Sequence, residues 1–182
     1  MTSASKSTLI LIPGLGDRAG IYKMCKPFWP EYNVRIYPFG WNDTDEDFAR
    51  LWDKFISYIK DIPTNEKIFI VGVSAGGVAA VLALNEMPER ISRVVTVASP
   101  FQMLPNVKNP TLNEALRQAG QILDNKVSAR IFSVHGKYDP RVPVNYSKPD
   151  GIKNMVIPTI GHSPTIAFAL TAASSGIKEF LN

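Results

Sequence analysis

The chain alternates between short runs of β-branched and aliphatic residues and longer segments in which apolar residues recur with helical period. Continuous apolar runs of this kind are typical of parallel strands that are covered on both faces. Such an alternation of strands and helices predicts an α/β protein built on a parallel sheet. Six strands are predicted, at 8–12, 33–37, 67–73, 93–97, 130–134 and 154–157.

Two segments between the strands carry a clear helical pattern. Apolar residues recur at helical spacing over 48–59, and Thr44 with Asp47 resembles a capping box in front of them. Residues 75–86 are apolar nearly all round. That pattern predicts a helix packed against the centre of the sheet and buried on every side.

Two further helices are predicted in the C-terminal half. Residues 112–123, opened by Thr111, have an amphipathic pattern and would overhang the sheet. Ser163 and Pro164 are residue types that cap and open helices, so they predict a last helix running to Leu181. Strand and helix therefore alternate to the end of the sequence.

The third predicted strand runs directly into a Gly-x-Ser-x-Gly motif formed by Gly72, Ser74 and Gly76. A serine between a buried strand and a buried helix in this pattern is typical of a nucleophile elbow, a turn too tight for side chains two residues before and after the serine. The hydroxyl would stand at the N-terminus of the helix, where backbone amides stabilise a developing oxyanion. The alternative is a plain tight turn in which Ser74 caps the helix.

A serine hydroxyl attacks at neutral pH only with a base beside it, and the chain has two histidines. His162 lies in the sequence TIGHSP, a predicted loop between the last strand and the last helix, where functional side chains are commonly carried. His135 follows the strand residues IFSV directly, which favours a packed histidine at the strand end. We therefore predict that His162 is the base.

A carboxylate that orients the imidazole should follow a strand at the same edge of the sheet. Asp139 lies in VHGKYDPRVP, five residues beyond Val134, and Gly136 allows the chain to turn. The loop after the preceding strand, VASPFQMLP, contains no carboxylate. Asp139 is therefore predicted to be the third member, the alternative being an aspartate that begins a proline-containing turn.

The order Ser74, Asp139, His162 resembles that of the α/β-hydrolase superfamily. The resemblance covers nearly the whole chain. It rests on five motifs in order, IPGLG, GVSAGG, MPERISRVVTVASPF, GKYDPRVP and GHSP. Their spacing is similar to that of the small, capless members of the superfamily, including the retinoblastoma-binding-protein-9-like serine hydrolases and minimal bacterial lipases.

The resemblance implies a three-layer α/β/α sandwich with a six-stranded parallel sheet in the order 2-1-3-4-5-6. It also implies a single domain over 1–182, with a short lid-like insertion near 99–128. By the same resemblance the backbone amides of Ala75 and Leu15 would bind the oxyanion, with Gly16 as the alternative to Leu15. Pro13 departs from the histidine that is common in that loop.

The segment from the fourth to the fifth strand is long enough to overhang such a site. We expect Phe101, Met103 and Leu104 to form an apolar acyl or alcohol pocket there, the alternative being that they pack under the helix at 112–123. The predicted activity is hydrolysis of carboxylic esters through an acyl-enzyme, with a small-molecule substrate. A thioesterase or peptidase with the same triad, or a non-catalytic binding module, is also compatible with these residues.

Other motifs are weaker. The GxGxxA pattern over 14–19 resembles a dinucleotide-binding loop, but the strand ending near Tyr37 offers no acidic residue for a ribose. The acidic run at 43–47 resembles a calcium loop, but Phe48 stands where glycine is needed. Cys25 in an apolar stretch is typical of a buried small residue. We therefore predict no cofactor and no metal.

The formal charge of +4 is unevenly distributed. Residues 1–89 hold 9 basic and 11 acidic residues, and residues 90–182 hold 11 and 5. The basic residues are scattered singly, so we expect a solvated basic face and no nucleic-acid partner. The single Cys25 and the absence of a secretory signal or transmembrane span in the pattern predict a cytoplasmic protein. The oligomeric state stays open.

Overall fold

The computed structural model of the chain describes residues 7–120 and 125–182. Within these residues, six strands form one parallel sheet in the order β2-β1-β3-β4-β5-β6. The predicted fold class and strand order are thereby confirmed. The strands are β1 (Thr8–Ile12), β2 (Asn33–Ile36), β3 (Ile68–Val73), β4 (Ile91–Val97), β5 (Ile131–Tyr138) and β6 (Lys153–Ile160).

Helices cover both faces of the sheet. One face packs against α2, α3 and α4, and the other against α7, α8 and the segment that follows α1. The helices are α1 (Ala19–Lys23), α2 (Phe48–Lys60), α3 (Ala75–Glu86), α4 (Pro110–Ala119), α5 (Asn125–Ser128), α6 (Val144–Ser147), α7 (His162–Leu170) and α8 (Ser174–Leu181), with a short 3₁₀ turn at Lys26–Phe28. Within the two described ranges, none of these helices has the length and apolar character needed to cross a membrane.

The central strands are apolar throughout because both of their faces are covered. Side chains alternate across a strand, so Ile10 and Ile12 of β1 enter one core while Leu9 and Leu11 enter the other. The α3 helix is buried over its first ten residues, and its small side chains allow it to lie close to the sheet. This arrangement places the start of α3 at the centre of the carboxyl edge of the sheet.

Two helix starts differ from the predictions. The N-cap of α2 is Asp47, whose carboxylate accepts the Arg50 N–H (2.9 Å), so Thr44 does not cap this helix. The N-cap of α4 is Asn109, whose side-chain oxygen accepts the Leu112 N–H (2.8 Å). Pro110 then occupies the first helical position, where its fixed φ is favourable. Residues 121–123 of the predicted helix lie outside the described residues.

The predicted last helix is two helices. The break falls at 171–173, where the Thr171 hydroxyl donates to the Ala167 carbonyl (2.6 Å) and the chain leaves helical dihedrals. Such side-chain bonds compete with the helical backbone ladder. At the other end, α7 begins at His162 with Gly161 as its N-cap, so His162 opens the helix and does not lie in the preceding loop.

His135 is a buried histidine within β5, 1% exposed. In the part of the chain that the structure describes, neither of its ring nitrogens has a hydrogen-bond partner. Burial lowers the pKa of His135, and the nearby charge of Lys148 lowers it further. The folded state therefore disfavours the imidazolium, which the unfolded chain forms below a pKa of about 6.5.

This depressed pKa makes stability depend on pH. The unfolded state binds the proton more readily, so we expect the free energy of unfolding to fall as pH drops from 7 to 5. In His135→Leu this decrease should be smaller, which thermal unfolding at both pH values will measure. Because the pKa of Asp139 is lowered, its titration changes stability at more acidic pH than the interval from 7 to 5. Equal decreases in both proteins would show that His135 does not titrate on unfolding.

Candidate active site

Ser74 occupies a strained turn between β3 and α3. Its φ of 53° and ψ of −123° lie in a region that residues with a side chain rarely adopt. The neighbouring strand holds it there, because the Ser74 N–H donates to the Val97 carbonyl (2.8 Å). The side chain makes no capping hydrogen bond to α3, so the structure does not support a helix-capping serine. This is the backbone geometry expected of a nucleophile elbow.

The motif glycines are required by close backbone approaches. A Cβ at position 72 would overlap the carbonyl of Gly76, within the elbow itself. A Cβ at position 76 would overlap the carbonyl of Ile12, at the end of β1. A third glycine, Gly14, lets the loop after β1 contact the serine, since a Cβ there would lie 2.9 Å from Ser74 Cβ.

The structure brings His162 and Asp139 together. Their Nδ1 and Oδ2 atoms are 2.7 Å apart, and both residues are buried. The other carboxylate oxygen of Asp139 accepts the N–H of Arg141 (2.9 Å) and of Val142 (3.1 Å). Burial opposes ionisation of Asp139, but the hydrogen bonds from His162 and from these amides bring its pKa below the usual value. The carboxylate is therefore ionised beside the imidazole at neutral pH.

The ends of β5 and β6 position this pair. β5 runs on to Tyr138, beyond the predicted end at residue 134, and Asp139 follows it directly. Gly161, with φ of 99°, closes the end of β6 and donates its N–H to the Tyr138 carbonyl (2.8 Å). Asp139 and His162 are the next residues of the two segments, so this bond holds them side by side.

Ser74 and His162 both line one cavity of about 1100 Å³ at the carboxyl edge of the sheet. Its walls come from the loop after β1, the α1 segment, the loops after β4 and β5, and α7. Most of the lining is apolar. Apolar lining residues include Ile21, Met24, Leu104, Val107, Ile166 and Leu170.

The predicted pocket residues separate in the structure. Leu104 lines the cavity, but the described lining includes neither Phe101 nor Met103. Phe101 is 6% exposed and packs into the core with α3 and α4. Its N–H donates to the Tyr146 carbonyl (2.7 Å), which fixes the backbone of this segment. Met103 is 51% exposed, so of the three predicted residues the structure places Leu104, and neither Phe101 nor Met103, in the described lining of the cavity.

The sequence reasoning missed the wall formed by the segment at 19–28. Ile21, Met24, Cys25 and Phe28 all line the cavity, and their spacing of three, four and seven residues is helical. That periodicity was the available signal. Burial raises the pKa of the Cys25 thiol, so this lining residue is protonated at neutral pH.

The residues predicted to supply the oxyanion amides either follow Ser74 in the chain or line the same cavity. Ala75 is the first residue of α3, where the N–H has no intrahelical acceptor. Leu15 and Gly16 line the cavity beside Ser74. Among the described residues, neither the Leu15 nor the Gly16 N–H donates a hydrogen bond, so both sequence alternatives stay available.

Among the residues that the structure describes, no group of three or more His, Cys, Asp or Glu side chains is arranged to hold a metal.

Sheet order, elbow and loop arrangement together define an α/β-hydrolase fold, and comparison with solved structures agrees. A monoacylglycerol lipase from Paleococcus ferrophilus superposes with a TM-score of 0.72 at 15% identity, over 98% of this chain and 96% of that one. An enol-lactonase from Burkholderia xenovorans LB400 superposes with a TM-score of 0.71 at 11% identity, over 100% of this chain and 93% of that one. At such identities the similarity establishes the fold.

Sequence comparison adds one relative. A chloroplastic protein of Arabidopsis thaliana, named as a methylesterase, is 28% identical over 116 residues. The matched segment is 60% of this chain and about a third of that relative's own length, 32%. No family model matches the chain. The chain thus has the α/β-hydrolase fold that its motifs predict.

Proposed function

We propose that the chain is a serine hydrolase that cleaves carboxylic esters through Ser74, His162 and Asp139. One observation carries the proposal: a serine in elbow conformation shares a cavity with a histidine that an ionised aspartate holds at 2.7 Å. The apolar lining favours substrates with an apolar acyl or alcohol group. The names of the similar proteins, a monoacylglycerol lipase and a methylesterase, also favour ester substrates.

Acylation begins with attack of Ser74 Oγ on the ester carbonyl carbon. His162 Nε2 takes the hydroxyl proton, and Asp139, bound to Nδ1, stabilises the imidazolium. The carbonyl oxygen becomes an oxyanion, which the amides of Ala75 and of Leu15 or Gly16 would bind. When the intermediate collapses, His162 returns its proton to the leaving alcohol, and the acyl group stays on Ser74.

Deacylation repeats the proton path with water. His162 takes a proton from the water that attacks the acyl-enzyme, and the same amides bind the second oxyanion. The proton then returns to Ser74 Oγ as the carboxylic acid leaves. The hydrogen bonds that keep Asp139 ionised serve both half-reactions, since an imidazolium forms in each.

Labelling with a fluorophosphonate probe tests the proposal directly. We expect covalent labelling at Ser74, located by peptide mapping, to vanish in Ser74→Ala and to weaken in His162→Ala. A panel of p-nitrophenyl esters, thioesters and peptide amides should give the highest kcat/KM for esters. A folded wild-type chain that neither labels nor hydrolyses any of them would favour a binding module on a hydrolase scaffold.

The different positions of Leu104 and Phe101 predict different effects of their substitution on the preference for acyl-chain length of the ester. Leu104→Ala enlarges the cavity and should change the relative kcat/KM for acetyl, butyryl, hexanoyl and octanoyl esters by roughly tenfold. Phe101→Leu alters the core, so it should lower the melting temperature and leave this preference unchanged. Ester-series kinetics and thermal unfolding of both variants provide the measurement. A changed preference in Phe101→Leu alone would contradict the assignment.

A further inference from the structure

Asp17, in the loop between β1 and α1, joins that loop to the one between β2 and α2. Its Oδ1 accepts the N–H of Phe39 (2.9 Å). Its Oδ2 accepts the N–H of Gly40 (3.0 Å) and of Trp41 (2.8 Å). A single carboxylate thus accepts three backbone amides from a neighbouring segment, and the mechanism above assigns it no role.

We propose that Asp17 is a positioning residue for the oxyanion hole. It fixes the loop that carries the Leu15 and Gly16 amides, so that an amide faces the oxyanion formed at Ser74. The inference rests on the proposed function, because an oxyanion hole has a role only in a hydrolase of this mechanism. It adds a residue outside the predicted triad and oxyanion amides.

Asp17 also shapes its own loop. Its N–H donates to the Gly14 carbonyl (2.9 Å), and its carbonyl accepts the Ala19 N–H (2.7 Å). Its φ is 43°, a left-handed conformation that aspartate tolerates better than most residues. The carbonyl and the N–H of a trans peptide point in opposite directions. Because the Gly14 carbonyl points into the turn, the Leu15 N–H of the same peptide points out of it.

The neighbouring carbonyls of the loop are also held. The Asn42 side-chain amide donates to the Leu15 carbonyl, so the Gly16 N–H points away from Asn42. The Trp41 indole N–H donates to the Pro13 carbonyl (3.2 Å). Three successive carbonyls therefore have donors, and the Leu15 and Gly16 amides are left without a protein acceptor among the described residues.

The partner loop is a rigid support. Trp41 is 1% exposed and stacks on Phe39 with ring centroids 4.3 Å apart. Burial raises the pKa of Asp17, while the three amides oppose that rise. The loop after β1 also lies close to the serine, since a Cβ on Gly14 would lie 2.9 Å from Ser74 Cβ. A small displacement of this loop would therefore move the amides relative to the reacting carbonyl.

Two substitutions test the inference. Asp17→Asn keeps the size but turns an NH₂ group toward backbone donors, and Asp17→Ala removes all three bonds. We expect kcat to fall about tenfold and about a hundredfold respectively, with KM nearly unchanged, because an oxyanion contact forms only in the transition state. Affinity for an alkyl boronic acid, which becomes tetrahedral on Ser74, should fall by the same factors. Affinity for the neutral amide analogue of the substrate should not change.

Rates should be measured below each melting temperature, per active site titrated with the fluorophosphonate. Asp43→Asn is the matched control, since Asp43 is exposed and its carboxylate accepts an amide of its own loop, that of Asp45 (3.0 Å). Unchanged kcat and boronate affinity in folded Asp17 variants would overturn the inference. Equal loss of affinity for both ligands, or failure of both variants to fold, would also overturn it and make Asp17 a structural residue. A fully active Ser74→Ala in the same assays would instead overturn the proposed function.

Discussion

Ser74→Ala is expected to lower kcat for ester hydrolysis by roughly 10⁶-fold while leaving KM nearly unchanged. The substitution removes the attacking oxygen, and the residual rate over water comes from the oxyanion amides and from binding. Alanine keeps the Cβ and the strained φ of 53°, so the elbow and the fold should persist. Steady-state kinetics with a p-nitrophenyl ester, together with thermal unfolding of the same preparation, measure both quantities.

The control for this variant is another serine. Ser57→Ala removes an exposed hydroxyl from α2 and should retain wild-type kcat. If Ser74→Ala kept more than a tenth of the wild-type rate, Ser74 would not be the nucleophile. The elbow would then be a fold feature without a role in the measured hydrolysis.

The central part of the fold was predictable because its sequence signals are local. β1 and α3 have the predicted bounds, since continuous apolar residues in both are flanked by polar or turn residues. The carboxyl end of β5 was not predictable in this way. It continues through exposed residues because Tyr138 pairs with Ile160 of β6, beyond an irregularity in the register. Such pairing depends on a segment far along the chain.

The same distinction between local sequence signals and contacts with distant segments applies to the candidate site. Ser74, His162 and Asp139 could be chosen because their chemistry and their order along the chain restrict the alternatives to a few residues. The residues of the cavity wall could not be chosen in this way. Phe101 and Leu104 are equally apolar and close in sequence, so nothing in the sequence shows which of them lines the cavity. A backbone hydrogen bond to Tyr146 and packing under α3 and α4 send Phe101 into the core. Asp17 has no sequence signal at all, since its role depends on three amides of another loop.

Asp139→Asn is expected to lower kcat by about 10⁴-fold with little change in KM. The oxygen of the introduced carboxamide can still accept the amides of Arg141 and Val142, which leaves its NH₂ group facing His162 Nδ1. Such a donor stabilises the tautomer that carries its proton on Nε2, and this nitrogen must be unprotonated to accept the Ser74 proton. The variant also lacks the negative charge that stabilises the imidazolium. The kcat for ester hydrolysis and the rate of fluorophosphonate labelling should fall together.

A matched control is Asp150→Asn, which removes the same charge from an exposed position before β6 and should retain wild-type kcat. Near-wild-type activity in Asp139→Asn would mean that the 2.7 Å hydrogen bond between His162 and Asp139 stabilises the fold and does not assist proton transfer. A parallel rise in KM and loss of thermal stability would show that Asp139 acts through the loop at Arg141 and Val142. A fall in kcat at unchanged KM and unchanged melting temperature separates the predicted role from both of these.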